Sequence, residues 1–176
     1  MRKWMTAVLA VVLVTGVASP AAAEARPGRD RLTGTWVLLS GDSALVERRG
    51  GIGLGSRRDA TRWRLVYTGV SEGGPAYLIQ RGDGRGWVLP QAVPGAPVRV
   101  APFLATIGDA RTQRWTIHTN RTKNDATGTK NDAIDVSINS ALNGWPVIVT
   151  GDYDPRVVVV PETFAPVTYR AVKVGN

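Results

Sequence analysis

Apolar residues in this chain fall in short runs rich in Val, Ile, Trp, Tyr and Leu, each ending on Gly, Pro, Asp or Asn. No longer stretch carries the 3.6-residue apolar period of an amphipathic helix. Short β-branched and aromatic runs punctuated by turn formers predict strands. The pattern places twelve of them, at 35–39, 44–47, 52–55, 63–67, 76–80, 86–90, 98–100, 114–118, 133–138, 145–149, 157–160 and 167–172. Twelve strands are too many for a simple hairpin stack and point to a closed barrel or a sandwich.

Spacing carries the prediction further. Trp36-Val37-Leu38, Tyr77-Leu78-Ile79 and Ile134-Asp135-Val136 each open a group of four strands, continued by Val46, Trp87 and Trp145 and then by Ile52, Val98 and Val157. Trp63-Arg64-Leu65, Trp115-Thr116-Ile117 and Tyr169-Arg170-Ala171 close the groups, with the closing aromatics 52 and 54 residues apart. Three similar four-stranded units with pseudo-threefold symmetry predict an all-β fold of the β-trefoil type. Large side chains at equivalent positions would converge on the axis, so these aromatics are expected in the core.

The N-terminus changes the picture of where the protein works. Arg2-Lys3 precede an apolar run over 5–18, and Ser19-Pro20-Ala21-Ala22-Ala23 supplies small residues for signal peptidase. This is the pattern of a secretory signal cleaved near Ala23, and the run is shorter than the roughly 20 residues of a spanning helix. The expectation is a secreted protein: residues 1–23 a signal peptide, residues 24–176 a single β-trefoil domain. A domain of that size buries about two-thirds of its unfolded surface. With no cysteine in the chain, the core must hold without disulfides, and thiolate metal sites and nucleophiles are excluded. The formal charge is +8. Such a charge favours acidic surfaces and polymers, although no block of consecutive basic residues appears, and scattered arginines also serve plain solubility. Thr122-Lys123-Asn124-Asp125-Ala126 recurs as Thr129-Lys130-Asn131-Asp132-Ala133, a polar duplication that a surface loop tolerates at little entropic cost.

Candidate chemistry is sparse. His118 is the sole histidine, and no nucleophile elbow accompanies it. Asp152 and Asp154 flank Tyr153 in a turn and offer at most a loose calcium site. Gly51-Ile52-Gly53-Leu54-Gly55 precedes no helix, so it is neither a phosphate loop nor a dinucleotide fingerprint. With no nucleophile, metal site or cofactor motif, a binding protein is expected rather than an enzyme, with no cofactor. Arg81-Gly82-Asp83 matches an adhesion tripeptide, as arginine-, glycine- and aspartate-rich turns do by chance. More informative is Glu47-Arg48-Arg49-Gly50-Gly51, between the second and third strands. A rigid exposed arginine there could enter the acidic pocket of a trypsin-like protease at reduced entropic cost. Arg85, in the turn 82–86, is a second candidate of that kind beside Arg81 and Asp83.

The central stretch carries a resemblance. Ala76-Tyr77-Leu78-Ile79, Gly86-Trp87-Val88-Leu89-Pro90, Val98-Arg99-Val100-Ala101-Pro102-Phe103-Leu104 and Gln113-Arg114-Trp115-Thr116-Ile117 follow a course that resembles the cospin-type serine-protease inhibitors, β-trefoils of mushrooms with actinobacterial relatives. The resemblance covers residues 60–120 well and the outer units loosely. It implies inhibition of a trypsin-like serine protease through the loop between the second and third strands, where Arg48, Arg49, Gly50 and Gly51 stand. A monomer with no nucleic-acid partner, and no membrane contact after signal cleavage, goes with it. The alternative is a ricin-B-like sugar-binding trefoil: Gln113-Arg114-Trp115 is one Q-x-W, and Trp87 and Trp145, each following a glycine, could stack a glycan if they face outward.

Overall fold

The structure, a computed structural model, describes residues 31–103, 107–120 and 133–175. Residues 1–23, expected to be a signal peptide, Leu104 and the duplicated loop up to Asp132 lie outside the described residues. Among the described residues twelve strands form: β1 (Gly34–Ser40), β2 (Ser43–Arg48), β3 (Gly51–Gly55), β4 (Trp63–Ser71), β5 (Gly74–Gln80) and β6 (Arg85–Val88). They continue with β7 (Arg99–Pro102), β8 (Trp115–Thr119), β9 (Ala133–Ser140), β10 (Val147–Thr150), β11 (Arg156–Val159) and β12 (Tyr169–Gly175). Each overlaps one of the strands expected from the apolar runs. Alternation is plainest where one face meets the core: Trp63 and Leu65 are buried while Arg64 is exposed, and Tyr169 and Ala171 are buried around exposed Arg170. Side chains on a pleated strand point to opposite faces, so every second residue shares the core.

The expected trefoil of three equivalent units is corrected by the hydrogen bonding. Nine strands close into one antiparallel ring, β1-β2-β3-β7-β6-β5-β8-β9-β12, with β4, β10 and β11 added to it. The ring closes through Gly51 of β3 opposite Arg99 of β7. β4 crosses it by pairing with both β1 and β5, so that β1, β4, β5, β8, β9 and β12 form a second, smaller closed set. β10 and β11 attach through Arg156 opposite Gly53. The units are also unlike one another: β1 and β2 share two register pairs, β5 and β6 one, and β9 is bridged to the residue before β10 at Asn139–Pro146. Aromatic spacing reports which positions are core. It carries no information on which backbone edges meet, and edges decide how a sheet closes.

The interior centres on three indoles. Trp87 packs edge-on against Trp63 and against Trp115, each pair 5.6 Å between ring centroids, and all three rings are fully buried. Edge-to-face contact sets the positive rim of one ring on the negative face of the next. The Trp115 Nε1–H donates to the Trp87 carbonyl at 3.2 Å. Two buried phenols tie the ends of the core. The Tyr169 hydroxyl donates to the Val147 carbonyl at 3.0 Å, and the Tyr77 hydroxyl accepts the Leu32 N–H at 3.2 Å. Burial pushes both phenols above the usual tyrosine range, because a phenolate there would lose its hydration.

Candidate functional site

The arginine-bearing turn is a two-residue hairpin loop. Arg48 pairs with Gly51, leaving Arg49 and Gly50 at the tip with φ of 52° and 76°. Positive φ at both central residues is the geometry whose twist matches the flanking strands. Glycine adopts it freely. Arginine does so against its Cβ, and Arg49 is the only non-glycine residue with positive φ among the described residues.

Glu47 holds this turn from below. Its Oε1 accepts the Gly50 N–H at 2.7 Å, and its Oε2 takes Arg81 Nη1 at 2.6 Å. Arg81 also reaches Asp83 at 3.4 Å, and the Asp83 carboxylate accepts the Arg85 N–H at 3.2 Å. Arg85 in turn donates to the Val100 carbonyl at 2.8 Å, while the Val100 N–H donates to the Gly50 carbonyl at 2.8 Å. The two loops singled out in the sequence therefore form one braced corner. Arg81 and Arg85 are half-buried struts in it, and Arg48 and Arg49 are exposed.

Beside this corner lies a cleft of about 660 Å³ between β3, β7 and the start of β11. Its charged rim consists of Arg48, Arg49, Arg99 and Arg156, with Asp154 as the lining carboxylate. Asp154 is engaged by Arg156 at 2.9 Å. Among the described residues, no carboxylate lies within ion-pair distance of Arg48, Arg49 or Arg99. Leu54, Pro97, Pro155 and the fully exposed ring of Tyr153 supply apolar walls. The floor depends on Gly53: a Cβ there would stand 2.7 Å from the Pro155 carbonyl oxygen, so only glycine lets β11 approach β3. Sequence reasoning found Arg48 and Arg49 but missed Arg99, Arg156, Leu54, Pro97 and the role of Tyr153. These are distant along the chain, and no local motif marks them. The run of alternating glycines at 51, 53 and 55 was the one legible sign that another backbone approaches closely.

The other candidates disperse. Trp87 is fully buried and Trp145 half-buried, so the former presents no face to a glycan. Trp115 and Gln113 of the Q-x-W are likewise in the interior. His118 stands on β8 opposite Ser137, half-buried, its ring beside the backbone of Gly74. Among the described residues, no group of three or more His, Cys, Asp or Glu is placed to hold a metal ion. Asp154 is turned to Arg156, and Asp152 is exposed.

Fold and site together define a closed antiparallel β-barrel with extra strands, carrying an arginine-rimmed cleft. No family model matches the chain, and no curated protein does. Among solved structures it is similar to a "Salivary protein from Culex quiquefasciatus that belongs to the Cysteine and Tryptophan-Rich (CWRC) family". The TM-score is 0.58 at 15% identity, over 82% of this chain and 96% of that one. At such identity the likeness shows the fold alone. This chain has six tryptophans but no cysteine.

These findings overturn the expected trefoil protease inhibitor and its lectin alternative. The barrel and its neighbour belong to neither, and the local geometry agrees. A residue presented to a protease lies in extended backbone, whereas Arg49 and Gly50 are folded into a tight turn at positive φ. The Trp87 ring that would have carried a sugar is sealed in the core. Among the described residues, no helix is long and apolar enough to cross a membrane.

Proposed function

We propose that this chain is a non-enzymatic binding protein working outside the cell, and that the arginine-rimmed cleft is its binding surface for an anionic ligand. The observation that carries this is a concave site where, among the described residues, three arginines stand without a carboxylate partner on a braced backbone frame. Guanidinium groups offer carboxylates and phosphates two parallel N–H donors. Concentrating them in a cleft with low-dielectric walls focuses a positive potential there. The export pattern over residues 1–23, cleaved near Ala23, and the likeness to a salivary protein support the extracellular setting.

The test is calorimetric titration of residues 24–176 with tripolyphosphate and with an oligoglutamate, at about 0.05 M and 0.5 M salt. Binding that weakens steeply with salt, and falls at least about ten-fold in an Arg49→Ala/Arg99→Ala variant, is expected. Both side chains are exposed, so their removal leaves the fold intact within about 0.5 kcal/mol. Absence of binding at low salt, or equal binding by the variant, refutes the proposal.

A further inference from the structure

Charge alone does not use all of this cleft. Tyr153 stands fully exposed at its edge, and Leu54, Pro97 and Pro155 face the same space. A phosphate group or a bare polyanion would pair with the arginines and leave these walls wet. From this mismatch, and resting on the anion-binding reading above, we infer that the cleft's ligand is a short acidic segment of another protein, carrying a large apolar side chain among its carboxylates.

Three features support that occupant. The cleft's volume lies within the roughly 300–1,000 Å³ of sites that enclose small ligands, room for a few residues of extended chain and too little for a folded surface. Its rim combines Arg with Tyr, the residue types that dominate binding energy at protein interfaces, where large side chains fill pockets shielded from water. The frame is already ordered: the Glu47 and Arg81 brace holds the Arg48-Arg49 turn, and backbone pairing holds the opposite wall, with Arg156 opposite Gly53 and the Val98 N–H donating to the Val157 carbonyl. A site ordered in advance loses little entropy when a flexible segment settles into it. Carboxylates would take the forks of Arg49 and Arg99, and the apolar side chain would lie against Tyr153 and Leu54.

The experiment measures fluorescence polarisation with three probes on residues 24–176. The first is a labelled five-residue peptide of four glutamates around one phenylalanine. The second has alanine in place of that phenylalanine, and the third is tripolyphosphate as competitor. The phenylalanine peptide is expected to bind at least about ten-fold more tightly than the alanine peptide and to resist tripolyphosphate. In Tyr153→Ala that preference should disappear, while tripolyphosphate affinity stays unchanged. Arg99→Ala should weaken all three ligands. If the two peptides differ by less than about ten-fold, or if Tyr153→Ala keeps the preference, the inference falls and general anion binding stands. If none of the three binds, both fall.

Discussion

Arg49 shows how one residue can hold a tight turn at the expense of local comfort. Its left-handed backbone costs about 1 kcal/mol relative to a residue at ease there, and strain of this kind persists where the side chain is needed. Arg49→Asn should therefore stabilise the protein by about 0.5–1 kcal/mol, since Asn-Gly is the preferred pair for this turn. The same change should weaken tripolyphosphate binding, and denaturant unfolding beside titration reads both effects. Tyr169 presents the opposite case, a buried group with no exposed role. Its phenol holds its proton more tightly folded than unfolded, so it contributes stability that is complete below pH 10 and is lost as pH rises toward the folded pKa. Melting temperatures between pH 9 and pH 12 should fall more steeply in the native protein than in Tyr169→Phe. That variant also loses the Val147 hydrogen bond, about 1 kcal/mol at neutral pH. Neither behaviour was legible in the sequence, where Arg49 is one arginine of a pair and Tyr169 one aromatic at a repeat position.

Among the elements, the β2–β3 hairpin is the one whose stiffness matters. Glu47 is its pivot, accepting from the Gly50 backbone and from Arg81 thirty-four residues away. Glu47→Ala leaves a turn N–H without its acceptor and the half-buried Arg81 guanidinium with Asp83 at 3.4 Å as its remaining carboxylate, at about 1–3 kcal/mol. Hydrogen exchange should quicken at Gly50 and Val100, with the slower core strands unaffected, and anion affinity should fall although no rim arginine is touched. Unchanged exchange in the turn would remove Glu47 from this role. The hairpin itself was readable from Arg-Gly-Gly between two apolar runs. Its partner loop at 81–85 was also noticed, but as a separate exposed candidate. That the two form one corner depends on β7 pairing with β3, which brings the β5–β6 turn beside the β2–β3 hairpin, a matter of topology rather than local pattern.

At the scale of the molecule, a barrel without disulfides rests on its interior, and the fully buried Trp63-Trp87-Trp115 row lies at its centre. Trp87→Ala should cost about 3–5 kcal/mol, and Trp87→Phe distinctly less because a ring still meets its neighbours edge-on. Equilibrium denaturation of both variants checks the order. The sequence by itself determined the secondary structure and the core. β-branched and aromatic runs between turn formers marked all twelve strands, and the recurring aromatics named Trp63, Trp115 and Tyr169 as interior, because burial periodicity is written locally. It did not determine how the sheet closes or what the surface offers. The nine-strand closure runs through one pair, Gly51 with Arg99, and the cleft gathers arginines from β2, β7 and β11. Backbone edges look alike in every strand, and side chains fifty or a hundred residues apart become neighbours only when those edges meet. Tertiary structure alone gathered them around one cleft.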